Sequence, residues 1–437
     1  MAGECSSSES GVSSHASSSH EQQDKVGMRG SSLISSVAHH IPLDLTIEIL
    51  TRLPARSLKR FQCVSKEWIS VIRNRVFIDS FCSVSRTRSR FLVAVRIAEN
   101  RVILLSTAPN ETELPSPNET ELRCCQLNPI LYSSLHTYLE MTLPGLPVDL
   151  VHCSSIHGLF CLSHPSDPGR FTICNPSTRQ VITLPNIKAS SGRRRENISM
   201  FLGYDPVANE YKAFCSTTWH GEPFQEHKVL TIGGGKLSWR SIKGRITPRY
   251  TVVTNGICIN GMLFYGVLTN RQIEKRSLWI IRFNLRGECI GSISTYPQVT
   301  KHGSLINYNG KLAAASPLPG GPLGSFELWV LDDFDNKRRW LRTQLNVYPL
   351  LLRLSGNIEL KVLGMNKRNE VVLVPLKFPP KHEPLYIYYN NKGREDHLVR
   401  RVELRGFEEF GCNHTSEEKC VCQVLFSPEH FESLMSL

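Results

Sequence analysis

A chain of 437 residues, 41% hydrophobic and 21% charged, has the make-up of a globular protein with room for two or three domains. It holds no apolar run of about 18 residues and no basic-then-apolar leader, so neither a helical membrane span nor secretion is expected; the expected compartment is the cytoplasm, the nucleus or both. Its formal charge of +12 is dispersed, with one tight run at Arg193-Arg194-Arg195 and no RNA- or DNA-binding signature beside it, so no nucleic acid and no membrane is expected as a partner.

Residues 1–36 carry long Ser runs and few apolar side chains, which predicts a disordered tail. Ile41 to Phe81 is the one long helical run. Pro42 fits the start of a helix, where its missing N–H costs nothing. From Leu43 the apolar residues fall on two faces. Leu45, Ile49 and Leu53 are four apart, and Leu43, Ile47 and Leu50 make a second stripe. One stripe docks a helix on its own core; two call for a second apolar neighbour. Pro54 stops the run. Ser57 is placed to cap a second helix with Leu58, Phe61 and Val64, and Ser65 a third with Val64, Trp68 and Ile72. Such a three-helix bundle, about forty residues long, buries too little surface to stand alone and wants a partner, in cis or in trans.

Arg86 to Arg90 reads as a basic joint, after which the period changes. FLVAVRI and VILLS flank Glu99-Asn100-Arg101 as a hairpin. Asn110 to Leu122, NETELPSP followed by NETEL, reads as an exposed or disordered insert. Then two series of hairpins interleave. One turns near Pro176, Gly234, Gly287, Asn336 and Gly393, at intervals of 49 to 58 residues; the other begins at His157, Ile259, Tyr308 and Asn366, with the turn at Asp205-Pro206 filling the place between the first two. Two hairpins make a four-stranded sheet, and such sheets bury both faces when repeated radially. The expected fold is therefore mainly β: a β-propeller of about six blades behind a small three-helix module, its last blade completed by a strand from the other terminus. The alternative is a β-sandwich followed by a second β domain.

Catalytic signatures are missing. The chain has no G-x-S-x-G elbow and no H-E-x-x-H helix, and Gly233 to Lys236 lacks the Walker spacing. Asp332, Asp333 and Asp335 lack the Gly and distant Glu of a calcium loop. Cys412, His414, Cys420 and Cys422 match no familiar zinc spacing, and the plainer reading is two Cys on one face of a C-terminal strand; no metal and no cofactor is expected. Of fourteen cysteines, Cys161, Cys174, Cys215, Cys258 and Cys289 sit singly in strand-like runs, as small core residues do in a reducing compartment. Asn175-Pro176 and Asp205-Pro206 read as turn punctuation.

The string Ile41-Pro42-Leu43-Asp44, Ile47-Glu48-Ile49-Leu50, Arg52-Leu53-Pro54, Ser57-Leu58, Arg60-Phe61, Val64-Ser65-Lys66-Glu67-Trp68 resembles an F-box, departing from the commonest pattern at Ile41 and Ser65. The resemblance implies binding to a Skp1-like adaptor and, through it, to the cullin and RING subunit of an SCF ubiquitin ligase. The residues it marks for the adaptor are Pro42, Leu43, Ile47, Leu50, Leu53, Pro54, Leu58 and Trp68. Such adaptors are acidic, so Arg52, Arg56, Lys59, Arg60 and Lys66 would aid encounter. Ser154 to Leu159, Cys174 to Gln180, Leu202 to Pro206, Glu210 to Lys212, His227 to Thr231, Leu305 to Leu312 and Leu328 to Asp333 resemble, in order, the plant F-box-associated type 3 domain, which commonly has Asn where His157 stands. That family is described as propeller-like and is regarded as the substrate-binding half of plant F-box proteins. The implied plan is a tail over 1–36, an F-box over 37–83 and the propeller over 84–437. The implied role is non-catalytic: recognition of a substrate protein, unknown in identity and in its contact residues, for an SCF ligase. A Skp1-binding scaffold that does not ubiquitinate, and an enzyme with a ligand in the propeller channel, are the rival classes; the second needs clustered acids or His at strand starts, which the sequence does not display.

Overall fold

The computed structural model describes residues 41–98, 100–107, 131–142, 149–164, 166–187, 194–233, 235–242, 247–269, 278–294, 303–318, 325–334, 337–346, 358–376, 383–391, 399–406 and 424–437. The Ser-rich tail, the NETEL duplication, and Cys412, His414, Cys420 and Cys422 lie outside them. Asp44–Leu437 form one compact unit.

Four helices open the fold rather than the expected three: α1 (Leu43–Thr51), α2 (Ala55–Phe61), α3 (Lys66–Arg73) and α4 (Arg75–Thr87). Ser65 caps α3 by accepting from Trp68 N. Asn74 alone, in extended conformation, separates α3 from α4 and caps α4 by accepting from Val76 N. Helix α4 buries Phe77, Phe81 and Ser85, four apart, and takes up Arg86 and Thr87 from the basic joint. Ser57 does not cap: α2 begins at Ala55, with Pro54 in the cap position and no side-chain cap of its own.

Six antiparallel sheets follow. Blade 1 runs outward through Val424–His430, Arg90–Ala98, Arg101–Ser106 and His136–Thr142. Its innermost strand therefore comes from the far end of the chain, with Leu92 opposite Ser427 and Val95 opposite Val424. Blade 2 is Asp149–Ile156, Leu159–Ser163, Phe171–Asn175 and Gln180–Thr183. Blade 3 is Arg195–Asp205, Glu210–Trp219, Phe224–Ile232 and Arg240–Ser241, and blade 4 is Tyr250–Val252 with Ile257–Ile259, then Met262–Thr269, Leu278–Asn284 and Cys289–Ser294. Blade 5 is Ser304–Tyr308, Lys311–Pro317, Ser325–Phe334 and Lys337–Asn346. Blade 6 is Leu360–Met365, Glu370–Pro375, Leu385–Asn391 and Val399–Arg405. A further strand, Leu131–Ser134, adds to its outer edge in parallel, a tie that no repeat signal announced.

Each inner strand lies beside the next, and Leu360–Met365 beside Val424–His430 closes the ring. Every pair of neighbouring blades shares a core: Phe160 with Leu92 and Leu104, Leu202 with Ile173, Phe283 with Phe214, Leu312 with Ile280, Leu373 with Leu328, and Ile387 with Phe91. The hydrophobic faces that a lone sheet would expose are thereby covered on both sides.

The turns repeat one chemistry. Asn175, Asp205, Asn284 and Asn366 each accept from the N–H two residues on, and Arg179, Asn209, Glu288 and Asn369 close these turns at positive φ. The tight inner hairpins at His157-Gly158, Asn260-Gly261 and Asn309-Gly310 place both turn residues at positive φ, as two-residue loops between twisted strands require. Cys161, Cys174 and Cys215 are buried thiols in the cores, but Cys289 begins an outermost strand and is exposed, so it is not a core residue.

Candidate functional site

The helical module has a small core of Leu50, Ala55, Leu58, Ile72, Phe77 and Phe81, into which Ile47, Leu53, Phe61 and Trp68 pack in part. Phe61 and Trp68 meet edge to face, with centroids 4.8 Å apart. Arg88, just past α4, donates to the carbonyls of Thr51 and Arg52 and so satisfies the end of α1.

One apolar face of the module is left open. Ile41, Leu43, Leu45 and Ile49 are each more than half exposed, and Val64 and Val76 are more exposed still. The two stripes read in α1 part company in the middle of the helix, where Ile47 and Leu50 turn inward and Leu45 and Ile49 face outward, while at the ends Leu43 is exposed and Leu53 packs on the core. Of the eight residues marked from the sequence, Pro42 and Leu43 are exposed, and Ile47, Leu53, Pro54 and Trp68 are half-buried. Leu50 and Leu58 are buried inside the chain's own core. Leu45, Ile49 and Val64 were not marked; for Leu45 and Ile49 the signal was their four-apart stripe, which burial alone could sort from the other. Leu45 and Ile49, one turn apart, share an exposed face of α1, and exposed apolar patches are the usual mark of a protein-docking surface.

The other side of the module rests on the propeller, at the end where the inner hairpins of blades 2 and 3 turn. Arg75 donates to Asn209 O at 2.7 Å, and Asn209 Nδ2 donates to Asp79 Oδ1 at 2.6 Å. Arg86 Nη2 lies 3.0 Å from His157 Nδ1. A guanidinium cannot accept, so Nδ1 is the acceptor and the imidazole is neutral. Burial, then the Arg86 charge, holds this His down at about 3. At φ 49° the position suits Asn; His there adds a contact to α4 that reaches across the two parts. The Arg86 guanidinium also lies 5.4 Å from the Phe431 ring centre.

Along the propeller axis runs a cavity of about 1060 Å³, lined by Thr254, Asn255, Ser304 and Lys361 among others, and by Arg86 and Phe431 at the helical side. Burial alone lowers the Lys361 amine. A second polar cluster joins His227, Tyr250, Tyr265 and Ser216 by hydrogen bonds of 2.7 to 3.0 Å between blades 3 and 4. All four are buried and mutually satisfied, which is the work of a structural network. Among the described residues no group of three or more His, Cys, Asp or Glu is placed to hold a metal, and no helix is long and apolar enough to cross a membrane.

A docking module with an open apolar face, seated on a closed six-bladed propeller, defines an adaptor-type protein. The comparisons agree. The F-box domain model matches residues 39–79, and the F-box associated beta propeller domain model matches residues 111–430. The F-box protein At1g30790 of Arabidopsis thaliana is 36% identical over 427 residues, covering 91% of this chain and 98% of that one. The putative F-box protein At1g32660 is 34% identical, covering 89% and 82%, and the F-box protein DOR is 34% identical, covering 85% and 90%, both from the same plant. The chain belongs to the F-box proteins that carry an F-box associated β-propeller domain. Both domains are non-catalytic adaptor domains.

Proposed function

We propose that this chain is the substrate-recognition subunit of an SCF-type ubiquitin ligase. The F-box binds a Skp1-like adaptor, the adaptor brings the cullin and RING subunit, and the propeller holds a target protein. The observation that carries this reading is the open face of α1, with Leu43, Leu45 and Ile49 exposed beside a packed core. Pro42 and Leu43, with Leu45 and Ile49, make the central contacts; Leu53, Pro54 and Trp68 border them. Leu50 and Leu58 act from beneath, by holding α1 and α2 in place. The lysines and arginines on the module, Arg52, Arg56 and Lys66 among the exposed ones, steer an acidic adaptor. Catalysis is left to other subunits and consists of bringing a charged carrier near a bound target.

Purifying the full chain with a Skp1-type adaptor, then adding cullin and RING subunit, tests this. A four-part complex that attaches ubiquitin to a captured target is expected. No complex with any Skp1-type adaptor would sink the reading, and a stable adaptor complex that refuses cullin would replace it with the scaffold.

A further inference from the structure

The first turn of α2 has a problem that its own sequence leaves unsolved. Pro54 sits at the cap position with no side-chain acceptor, so the N–H groups behind it need a partner from elsewhere. Glu432 provides one. Its Oε2 accepts from Ala55 N at 2.7 Å, and its Oε1 accepts from Arg90 Nη2 at 3.1 Å. Both side chains are mostly buried, at 9% and 15% exposure. One carboxylate therefore ties the start of α2 to the first residue of the Arg90–Ala98 strand.

The residues that follow divide their contacts between the two bodies. Ser433 N donates to Ser177 Oγ, and Asn175 Nδ2 donates to the carbonyls of both Ser433 and Met435. Leu434 turns the other way and enters the helical core with Leu50, Leu58 and Phe81. Met435 and Leu437 return to the core shared by blades 2 and 3, and Leu437 N donates to Gln180 Oε1. Helices and blades are otherwise joined covalently only through Arg88 and Ser89, between α4 and the Arg90–Ala98 strand. Arg75, Asp79 and Arg86 hold α4 to the hairpins of blades 2 and 3; the strap adds an attachment at α2, away from α4.

We propose that Phe431–Leu437 is a strap that sets the direction of the F-box on the propeller, with Glu432 as its positioning residue. This rests on the ligase reading above, because there the direction matters: transfer to a held target depends on the effective concentration of the carrier, which a swivelling joint would dilute. Glu432 touches neither the open face of α1 nor the far end of the propeller, so its loss changes geometry and not adaptor contact.

The test uses the full-length chain, alone and with a Skp1-type adaptor. Nitroxide labels are placed on Cys63 in the helical module and Cys289 on blade 4, both exposed, in a background with other reactive cysteines replaced. The unaltered strap gives one narrow label-to-label distance. Glu432→Ala loses that narrow distance while adaptor affinity stays within about threefold. Glu432→Gln, which keeps an acceptor for Ala55 N, restores it. A distance as narrow in Glu432→Ala as in the parent overturns the proposal. If that variant does not fold, Asn175→Ala frees the strap from the blade side and must broaden the same distance, or the proposal fails. The distance is read without the adaptor as well, so absent adaptor binding would count against the ligase reading alone.

Discussion

The carboxylate of Glu432 caps a helix that begins at Ala55, 377 positions earlier in the chain. This pairing joins the two parts that the sequence presents as separate modules. A small helical bundle buries too little surface to be stable alone, and here it borrows both a cap and a core residue from the strap. The apolar excess of α1 to α4 therefore has two destinations. One face is covered in cis, by Leu434 and its neighbours, and the other remains open.

Leu434 is 7% exposed and completes the helical core. Replacing it with Ala removes buried methyl groups and leaves a cavity between helices and blades. The cost is about 2–4 kcal/mol. Urea unfolding of Leu434→Ala should show the helical signal lost at a lower midpoint than the sheet signal. A single, unshifted transition would mean that Leu434 contributes nothing to the module.

The open face and the core make opposite predictions. Leu45→Asp with Ile49→Asp changes two side chains that are each 51% exposed, so the unfolding midpoint should stay within about 0.5 kcal/mol of the parent. Capture of a Skp1-type adaptor should fall sharply, since losing central apolar anchors costs about 2 kcal/mol or more. Leu58→Ala behaves in reverse: Leu58 is fully buried, and its loss lowers stability before it touches binding. Undiminished capture by the double Asp variant would remove the face from the interface.

What could be read in advance divides along local and non-local physics. The hairpins were legible because each turn is written in a few adjacent residues: Asn175, Asp205, Asn284 and Asn366 accept from their own turns, and the spacing repeats. Closure by a far strand was expected at the last blade, but it falls on the first, where Val424–His430 pairs with Arg90–Ala98. Ser65 was legible as a cap for the same local reason. Ser57 was misread because α2 starts two residues earlier, with a cap no local rule can locate. The break before α4 was missed because a single Asn makes it. Asn175-Pro176 was read as punctuation, and Asn175 is also the hook for the strap. Of the two α1 stripes, the sequence alone could not say which one the chain keeps for itself.

His430 lies 1% exposed in the innermost strand of blade 1, against the Phe160 and Tyr138 rings, and neither ring nitrogen has a hydrogen-bond partner among the described residues. Burial, then the nearby Arg90 charge, holds it at about 3. His157 is likewise held at about 3 and His227 at about 4, burial being the main cause. An unfolded His titrates near about 6.5. Between that value and the folded ones the unfolded chain takes up protons that the folded chain refuses. Stability is therefore full above the unfolded value and drains as pH falls towards the folded values. The urea midpoint should be lower at about pH 5 than at about pH 7.5. His430→Phe removes one of the three groups and forfeits no hydrogen bond, so the drop should shrink with no loss at the higher pH. An equal drop in parent and variant would show that His430 is not among its causes.

Gly158 occupies φ +82° in the inner hairpin of blade 2, directly beneath the strap. A Cβ there would stand 2.6 Å from the Phe431 carbonyl oxygen and 3.0 Å from Ser433 Cβ. Gly158→Ala therefore meets two penalties, a left-handed backbone that a Cβ disfavours and a clash with backbone that cannot rotate aside. The hairpin itself can absorb the first, at about 1–2 kcal/mol. Relief of the second requires the strap to lift, which would pull Glu432 from Ala55 and Leu434 from the helical core. Amide hydrogen exchange should then rise at Ala55 and along α2, far from residue 158 in sequence, while the cores of blades 4 and 5 remain protected. Exchange confined to the hairpin at 157–158 would show that the strap and the helices do not move together.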